Sequence, residues 1–483
     1  MNQFFVSNED VPFEIPKVSY ARFDQCEPVD LNEVDEGVII FTAVSADWFD
    51  EQTNNIYSLD VDSSAPDFWE SYWQDLFKTK ESPPQEDDPF EGMPLLRYEI
   101  TISANDVDFD SYREILTNES EWIKIVSDSE GKLQADVYGN LFGFAQPATI
   151  SLGKVEDHQA SVLSSIFDMD EWPDASEHEL VSAISTHERA SSLAAFDVGQ
   201  GSASALLDED QIPWLYHDLG AGVTRNSHTT PDPLRFCWTK KPNIVLSHWD
   251  SDHWAGAQKD RRALKRTWIA PRQYIGTTHT AFANDILRAG GRILIWPKKG
   301  VGPITVNNTI QQSITVGRCK GNDRNGSCLA MKVENKANGD DLYWLLTGDG
   351  GYHQLPFPLT GIPAAIVVPH HGAKMAGNKY IPARSNAAYA RLLFSFGPGN
   401  AHGRTNLSHP TSSAVNAYKQ KGWDTGTWGF LIQPGATNAG GDVLATAKHT
   451  TSHLGGVIVG WAKALTPKPR PCQNLCTADI KQS

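Results

Sequence analysis

Ser247-His248-Trp249-Asp250-Ser251-Asp252-His253 follows directly on an apolar run, Asn243-Ile244-Val245-Leu246. The run reads as a buried parallel strand. Side chains at its end then project from the carboxyl edge of a sheet, where open α/β folds place their ligand sites. His248, Asp250, Asp252 and His253 can all bind metal, and imidazole and carboxylate suit borderline and hard divalent ions. A charged amphipathic run follows and reads as a helix over about 255–265. A solvated loop rich in Asp and His is the plainer alternative. Strand, ligand loop and helix in succession favour a metal site.

The same texture recurs from Ser191 onward. Short apolar runs at 193–198, 214–217, 292–296, 328–333, 342–346, 364–368, 392–396, 427–432 and 455–459 are separated by glycine-rich turns. Helical patterns intervene at 282–289 and 411–420. Many strands with a few helices between them predict a layered α/β sandwich. Polar clusters end several runs: Asp197-Val198-Gly199-Gln200-Gly201, His217-Asp218-Leu219-Gly220, Thr347-Gly348-Asp349-Gly350, Pro369-His370-His371-Gly372, Gly397-Pro398-Gly399-Asn400 and then Ser408-His409-Pro410. Glycines beside them let backbone approach a ligand closely. Together the clusters predict one convergent site.

That ordered set resembles the metallo-β-lactamase superfamily, and within it the ComEC-like competence hydrolases that act on DNA. The resemblance covers about 191–461, with His248, Asp250, Asp252 and His253 matching the superfamily's metal motif. It implies an αββα sandwich holding two divalent ions, zinc or manganese, with magnesium a third candidate. It implies that His248 and Asp250 hold one ion, that Asp252, His253 and one of His370 or His371 hold the second, and that Asp349 bridges them. Asp197 and Asp218 would lie behind the ligands, Asp218 orienting an imidazole. The superfamily's third-motif His has no match between His253 and Asp349; Arg324-Asn325-Gly326-Ser327 stands there, with Asn325 and Ser327 as the expected replacement. Either His402 or His409 could face the site, with Asn400 nearby. His409 would protonate a leaving oxygen or contact phosphate. Lys374 and Arg404 would hold phosphate oxygens. His279 reads as a polar residue at a helix start, with a substitute metal ligand as the other reading.

The first 190 residues differ in kind. They hold 41 Asp and Glu against 10 Lys and Arg, whereas the remainder holds 18 against 31. Runs at 37–44 and 96–102 read as strands, and Trp69, Trp73 and Phe77 recur at helical spacing over 68–77. The expected organisation is an acidic α+β amino-terminal domain over 1–190, a hydrolase domain over 191–462 and a tail over 463–483. A basic half attracts polyanions, nucleic acid above all; the acidic half would bind or answer to a protein partner. Two ordinary domains with different surfaces are the bland alternative. No run is long enough to span a bilayer. The start lacks a basic region before its apolar residues, so no secretory signal is expected. Six scattered cysteines read as free thiols in a cytoplasmic protein. Cys472 and Cys476 are too isolated to suggest zinc.

The functional expectation is a metal-dependent phosphodiesterase, a DNA nuclease, acting as a regulated effector in bacterial defence. Two divalent ions about 3.5–4 Å apart stabilise both attacking and leaving oxygens and lower the pKa of water towards about 7. A small-molecule hydrolase (phosphocholine esterase, lactonase or thioesterase) is the alternative. A sensor or effector subunit controlled through the acidic domain is the third reading. The missing third-motif His argues against a true β-lactamase.

Overall fold

The computed structural model describes residues 2–6, 13–27, 36–59, 65–78, 88–103, 118–185, 188–336, 341–375, 377–386, 389–403, 405, 407–426, 441–448, 452–463 and 465. Two compact units emerge. The first comprises Met1–Pro173, Tyr274–Ile293 and Ala401–Asn406; the second comprises Asp174–Gln273, Leu294–Asn400 and Leu407–Ser483.

The first unit is built on a closed barrel of β1 (Val18–Glu27), β2 (Glu36–Ser45), β3 (Leu95–Ser103), β4 (Trp122–Ser127), β5 (Leu133–Tyr138) and β6 (Gln146–Lys154), in the order β1-β2-β3-β5-β6-β4. Every ladder is antiparallel. Alternate residues enter one core, as the strand period of two requires: Ala21 and Phe23, Ile39, Phe41 and Ala43, Tyr98 and Ile100, Ile123 and Ile125, Ala135 and Val137. Closure leaves no strand edge exposed. Trp73, on the helix Ala65–Lys78, is fully buried with its ring 5.1 Å from that of Trp172.

The helix Thr277–Arg288 belongs to this unit, although its sequence lies among the later strands. Thr277 donates a 3.1 Å hydrogen bond to the Ala43 carbonyl, and Tyr72 donates one of 2.6 Å to Asn284. His279 accepts from the Gly276 amide at the helix start and sits 3.1 Å from Asp24. It is therefore a helix-start residue in the first unit.

The second unit contains two seven-stranded sheets. One runs β12 (Arg292–Trp296), β11 (Thr267–Pro271), β10 (Asn243–Val245), β9 (Pro213–Leu219), β8 (Ala203–Leu207), β7 (Ser192–Ala195) and β20 (Val457–Val459). The other runs β13 (Ile304–Asn307), β14 (Gln312–Arg318), β15 (Leu329–Asn335), β16 (Leu342–Leu346), β17 (Ile362–Val367), β18 (Arg391–Phe394) and β19 (Val443–Ala445). β9, β10 and β11 pair in parallel, as do β16 to β19. Leu193, Leu215, Val245 and Ile269 from the first sheet share one buried cluster with Val316, Met331, Trp344 and Leu393 from the second. The sheets thus face each other across a common core. The other face of the second sheet buries Tyr343, Leu345 and Phe394 against Val415 and Tyr418 of the helix Ser412–Gln420.

Three sequence expectations need correction here. The boundary expected at 190 lies at Pro173/Asp174, because Ala175 donates to the Ile295 carbonyl and Leu180 and Ile184 enter the core between the sheets. The single helix expected over 255–265 is two short pieces, Gly256–Lys259 and a 3-10 turn Arg261–Lys265. Asp260 breaks it, with non-helical backbone and a carboxylate that accepts from Arg262 and from the Phe236 amide. Not every cysteine is a free thiol: Cys237 is disulfide-bonded, a state typical of oxidising compartments. Cys26, Cys319 and Cys328 are not disulfide-bonded. The strand expected at 427–432, Arg404, and Cys472 and Cys476 of the tail lie outside the described residues. Among the described residues no helix is long and apolar enough to cross a membrane.

Candidate metal centre

β10 ends at Val245 and the chain turns into the loop that carries His248, Asp250, Asp252 and His253. β16 leads to Asp349, β17 leads to His370 and His371, and β9 carries Asp218 as its penultimate residue. All lie in the second unit. His253 Nε2 is 3.1 Å from Asp349 Oδ1, and His248 Nε2 is 3.7 Å from Asp349 Oδ2. His371 Nε2 lies 3.1 Å from Asp252 Oδ2, and His370 Nε2 lies 3.5 Å from Asp349 Oδ2. Residues more than a hundred positions apart in sequence therefore meet in one buried locus.

The residues behind the ligands fix which nitrogen each imidazole offers. Ser247 Oγ and the Ser247 amide both donate to Asp218, at 2.9 and 2.6 Å. Because that hydroxyl proton goes to Asp218, His248 Nδ1, 2.9 Å from Ser247 Oγ, is the donor there. His253 Nδ1 is held by Asp218 Oδ2 at 2.8 Å. His371 Nδ1 donates to the Ser395 carbonyl at 2.9 Å. Each ring is thereby pinned at Nδ1 and turns Nε2 inward, the arrangement by which outer hydrogen bonds orient metal-binding histidines.

Backbone strain concentrates here. Asp218, His370 and His371 all have φ near +50 to +63°, a region costing on the order of 1–3 kcal/mol for residues with a Cβ and persisting where surroundings over-determine it. Glycines permit the close approaches. A Cβ on Gly220 would come within 1.8 Å of the Asp252 carbonyl oxygen, and one on Gly348 within 2.4 Å of Ser247 Oγ.

Charge at the locus is strongly perturbed. Burial alone would lift the Asp252 carboxyl, but the charges of His253 and His371 and the His371 hydrogen bond hold it at about 2. Burial opposes a charged His253, yet Asp349, Asp218 and Asp252 hold its pKa well above the ordinary imidazole value. Asp349 is buried and would be raised by that alone; His253, His370 and His248 drive it well below the usual carboxylate range. His217 is lowered chiefly by burial, with Asp218 opposing.

These residues fit a divalent cation. His248, His253 and Asp349 form one set of mutually close donors, and Asp252, His253 and His371 form another. His248 Nε2, His253 Nε2 and Asp349 Oδ2 are buried and make no hydrogen bond, a cost that a bound cation would relieve.

Other residues named from sequence fall differently. Asp197 binds His453 Nδ1 through both carboxylate oxygens, at 2.7 and 2.8 Å, and accepts from the Gly455 amide. Asn325 is half-buried, and the Ser327 hydroxyl accepts from Gln273 at 2.8 Å. Asn400 bonds both the amide and the carbonyl of His409, at 2.8 and 2.6 Å, and the His409 ring lies 5.6 Å from that of His370. Lys374 is exposed just beyond the His370-His371 turn. His402 lies in the segment that clusters with the first unit.

Sequence reasoning missed Arg324. Its Nη1 is 2.9 Å from Asp250 Oδ1, with both side chains 2 % exposed. Its place beside Asn325-Gly326-Ser327 was the one available signal, and nothing local tied it to Asp250. Ser247, Gln273 and Ser395 were also missed, as ordinary polar residues whose contacts are long-range.

No protein-family model matches the chain, and no curated protein matches it. Solved structures similar to part of it include MEM-A1, a subclass B3 metallo-beta-lactamase isolated from a soil metagenome library, at 15% identity over 32% of this chain and 59% of that chain, with a TM-score of 0.21. Another is Zn(2+)-bound PqqB from Methylobacterium extorquens, at 13% identity over 41% of this chain and 60% of that chain, with a TM-score of 0.20. The chain spans about three-fifths of the length of each, and the likeness is too slight to assign it to a family.

Proposed function

We propose that the chain is a metal-dependent hydrolase of phosphodiester bonds, a DNA nuclease of the ComEC-like kind within the metallo-β-lactamase superfamily. The observation that carries this reading is the meeting of His248, Asp252, His253, Asp349 and His371 in one buried locus with their Nε2 and carboxylate atoms turned inward. A divalent ion there supplies a lowered water pKa, near 7, and a positive charge for oxygens that become anionic during hydrolysis. The mixed imidazole and carboxylate donors suit zinc or manganese. Asp218 and Ser247 hold the imidazoles in the ligand tautomer. Asn400 steadies His409, to which we assign proton donation to the leaving oxygen. Lys374 is the candidate contact for a phosphate oxygen.

The polyanion reading is supported by charge. The second unit carries 29 Lys and Arg against 21 Asp and Glu, and the first carries 12 against 38. The first unit is, on this proposal, the binding surface for a protein partner that regulates the hydrolase.

The test is cleavage of DNA by the purified chain with Mn²⁺ or Zn²⁺, wild type against Asp252→Ala with His253→Ala. The proposal expects cleavage by the wild type alone. Equal cleavage by both proteins removes this site as its cause. Salt separates the substrate classes: affinity for a polyanion, read as KM, weakens steeply between 50 and 200 mM salt, by a factor of roughly 10³ or more with six or more phosphate contacts, whereas that for a small ester changes little.

A further inference from the structure

We infer that the centre takes a single divalent ion, on the Asp252–His253–His371 side, and that the Arg324 guanidinium stands in for the second cation. This rests on the metal-hydrolase reading above and revises the two-ion expectation drawn from sequence.

The two sets of converging donors share one atom. Both need His253, whose Nδ1 is engaged by Asp218, so both would draw on Nε2. A ring nitrogen offers one lone pair, and one ion can have it. With His253 given to one ion, the His248 side could hold a second only if Asp250 completed it.

Arg324 stands against that. Asp250 was expected to join His248 around the first ion. Instead its Oδ1 receives Arg324 Nη1 at 2.9 Å in a setting almost closed to solvent, while its Oδ2 lies 3.3 Å from His248 Nε2. An ion on the His248 side would have to share the Asp250 carboxylate with a fixed guanidinium, whose permanent charge opposes a second cation on the same group. Among the described ion pairs, none brings a lysine or arginine to Asp252 or Asp349; Asp252 is paired with His253 and His371, and Asp349 with His248, His253 and His370. Imidazoles can release a proton to make room for an ion; an arginine cannot.

The arrangement divides two tasks that paired metals share. A bound ion would supply the acidity that activates water, and the guanidinium would contribute charge without ligating anything. Its charge is permanent, so the centre does not depend on filling a second, weaker site. A planar guanidinium also favours oxyanions such as phosphate.

Metal content by inductively coupled plasma mass spectrometry, on the full chain dialysed against Zn²⁺ and separately Mn²⁺, tests this. The wild type is expected to hold about one ion per chain. His248→Ala keeps it, and Asp252→Ala or His371→Ala loses it. Arg324→Met, which removes charge at similar bulk, raises the count towards about two by freeing Asp250. Circular dichroism checks that Arg324→Met is folded; if it is not, the wild-type and His248→Ala counts still decide. Two ions in the wild type, loss of the ion in His248→Ala, or a folded Arg324→Met with an unchanged count overturns the inference. No ion in the wild type overturns the metal-hydrolase reading itself, an outcome distinct from two.

Discussion

His253 Nδ1 lies 2.8 Å from Asp218 Oδ2, and on the other side of the same ring Nε2 lies 3.1 Å from Asp349 Oδ1. Asp218 thereby sets the tautomer and angle of the imidazole on which both donor sets depend. Asp218→Asn keeps the shape, and Asn tolerates the φ of +63° found there. It replaces a carboxylate with an amide that no longer favours a proton on Nδ1. Metal affinity is expected to fall by roughly 10–100-fold with the fold intact, read by competition against a chromophoric chelator.

Gly220 supports Asp252 through backbone alone. Its amide donates to the Ser202 carbonyl, and the Ser202 amide donates to the Asp252 carbonyl. The 1.8 Å approach of a built Cβ to that carbonyl leaves no room for any side chain. Gly220→Ala is expected to displace Asp252 and lower stability by about 1–3 kcal/mol through overpacking. Metal retention falls with it, whereas Gly302→Ala, whose added Cβ meets nothing within 4 Å, leaves metal retention unchanged. Denaturant midpoints and metal content of the two variants check this.

How much of this was legible in the sequence depended on whether the relevant contacts were local. The strand before the ligand loop was read at 243–246 and is Asn243–Val245, because a short apolar run ending in metal-capable residues is a local pattern. Its convergence with Asp349 and His371 was inferred from the order of strand-end clusters. The Arg324–Asp250 pair was not legible: the partners are 74 positions apart, and each alone is an ordinary charged residue. Asp197 was read as lying behind the ligands because its cluster looks like the others, yet its carboxylate is taken by His453. The helix Thr277–Arg288 was recognised from 282 onward, but its periodicity could not say which unit it joins; that follows from contacts with Ala43, Tyr72 and Asp24. The barrel was hidden for the same reason. Its strands have ordinary alternation, and closure through the β1–β4 ladder pairs Val18 with Val126, a relation no window of sequence contains.

Asp260 makes a pH-dependent contribution away from the metal locus. Burial would raise its carboxyl, but the Arg262 hydrogen bonds, the Phe236 amide, the Trp238 indole and the Arg262 charge outweigh that and lower its pKa. A carboxyl depressed in the folded state stabilises it fully above the unfolded value of about 3.9, and the contribution is lost as pH falls through the folded value. Asp260→Asn is therefore expected to cost about 1–3 kcal/mol at pH 7. The gap between variant and wild type narrows as pH drops below about 4. Urea midpoints at pH 7, 5 and 3 measure it; a constant gap would show that charge is not the cause.

The most direct measurement of the central claim is an anomalous difference map from crystals grown or soaked with Zn²⁺, collected at the zinc edge. The account predicts a peak about 2.0–2.2 Å from His253 Nε2, in contact with a carboxylate oxygen of Asp252 or Asp349. A fully loaded crystal with no peak at that nitrogen, or with its zinc bound only elsewhere on the chain, would contradict it.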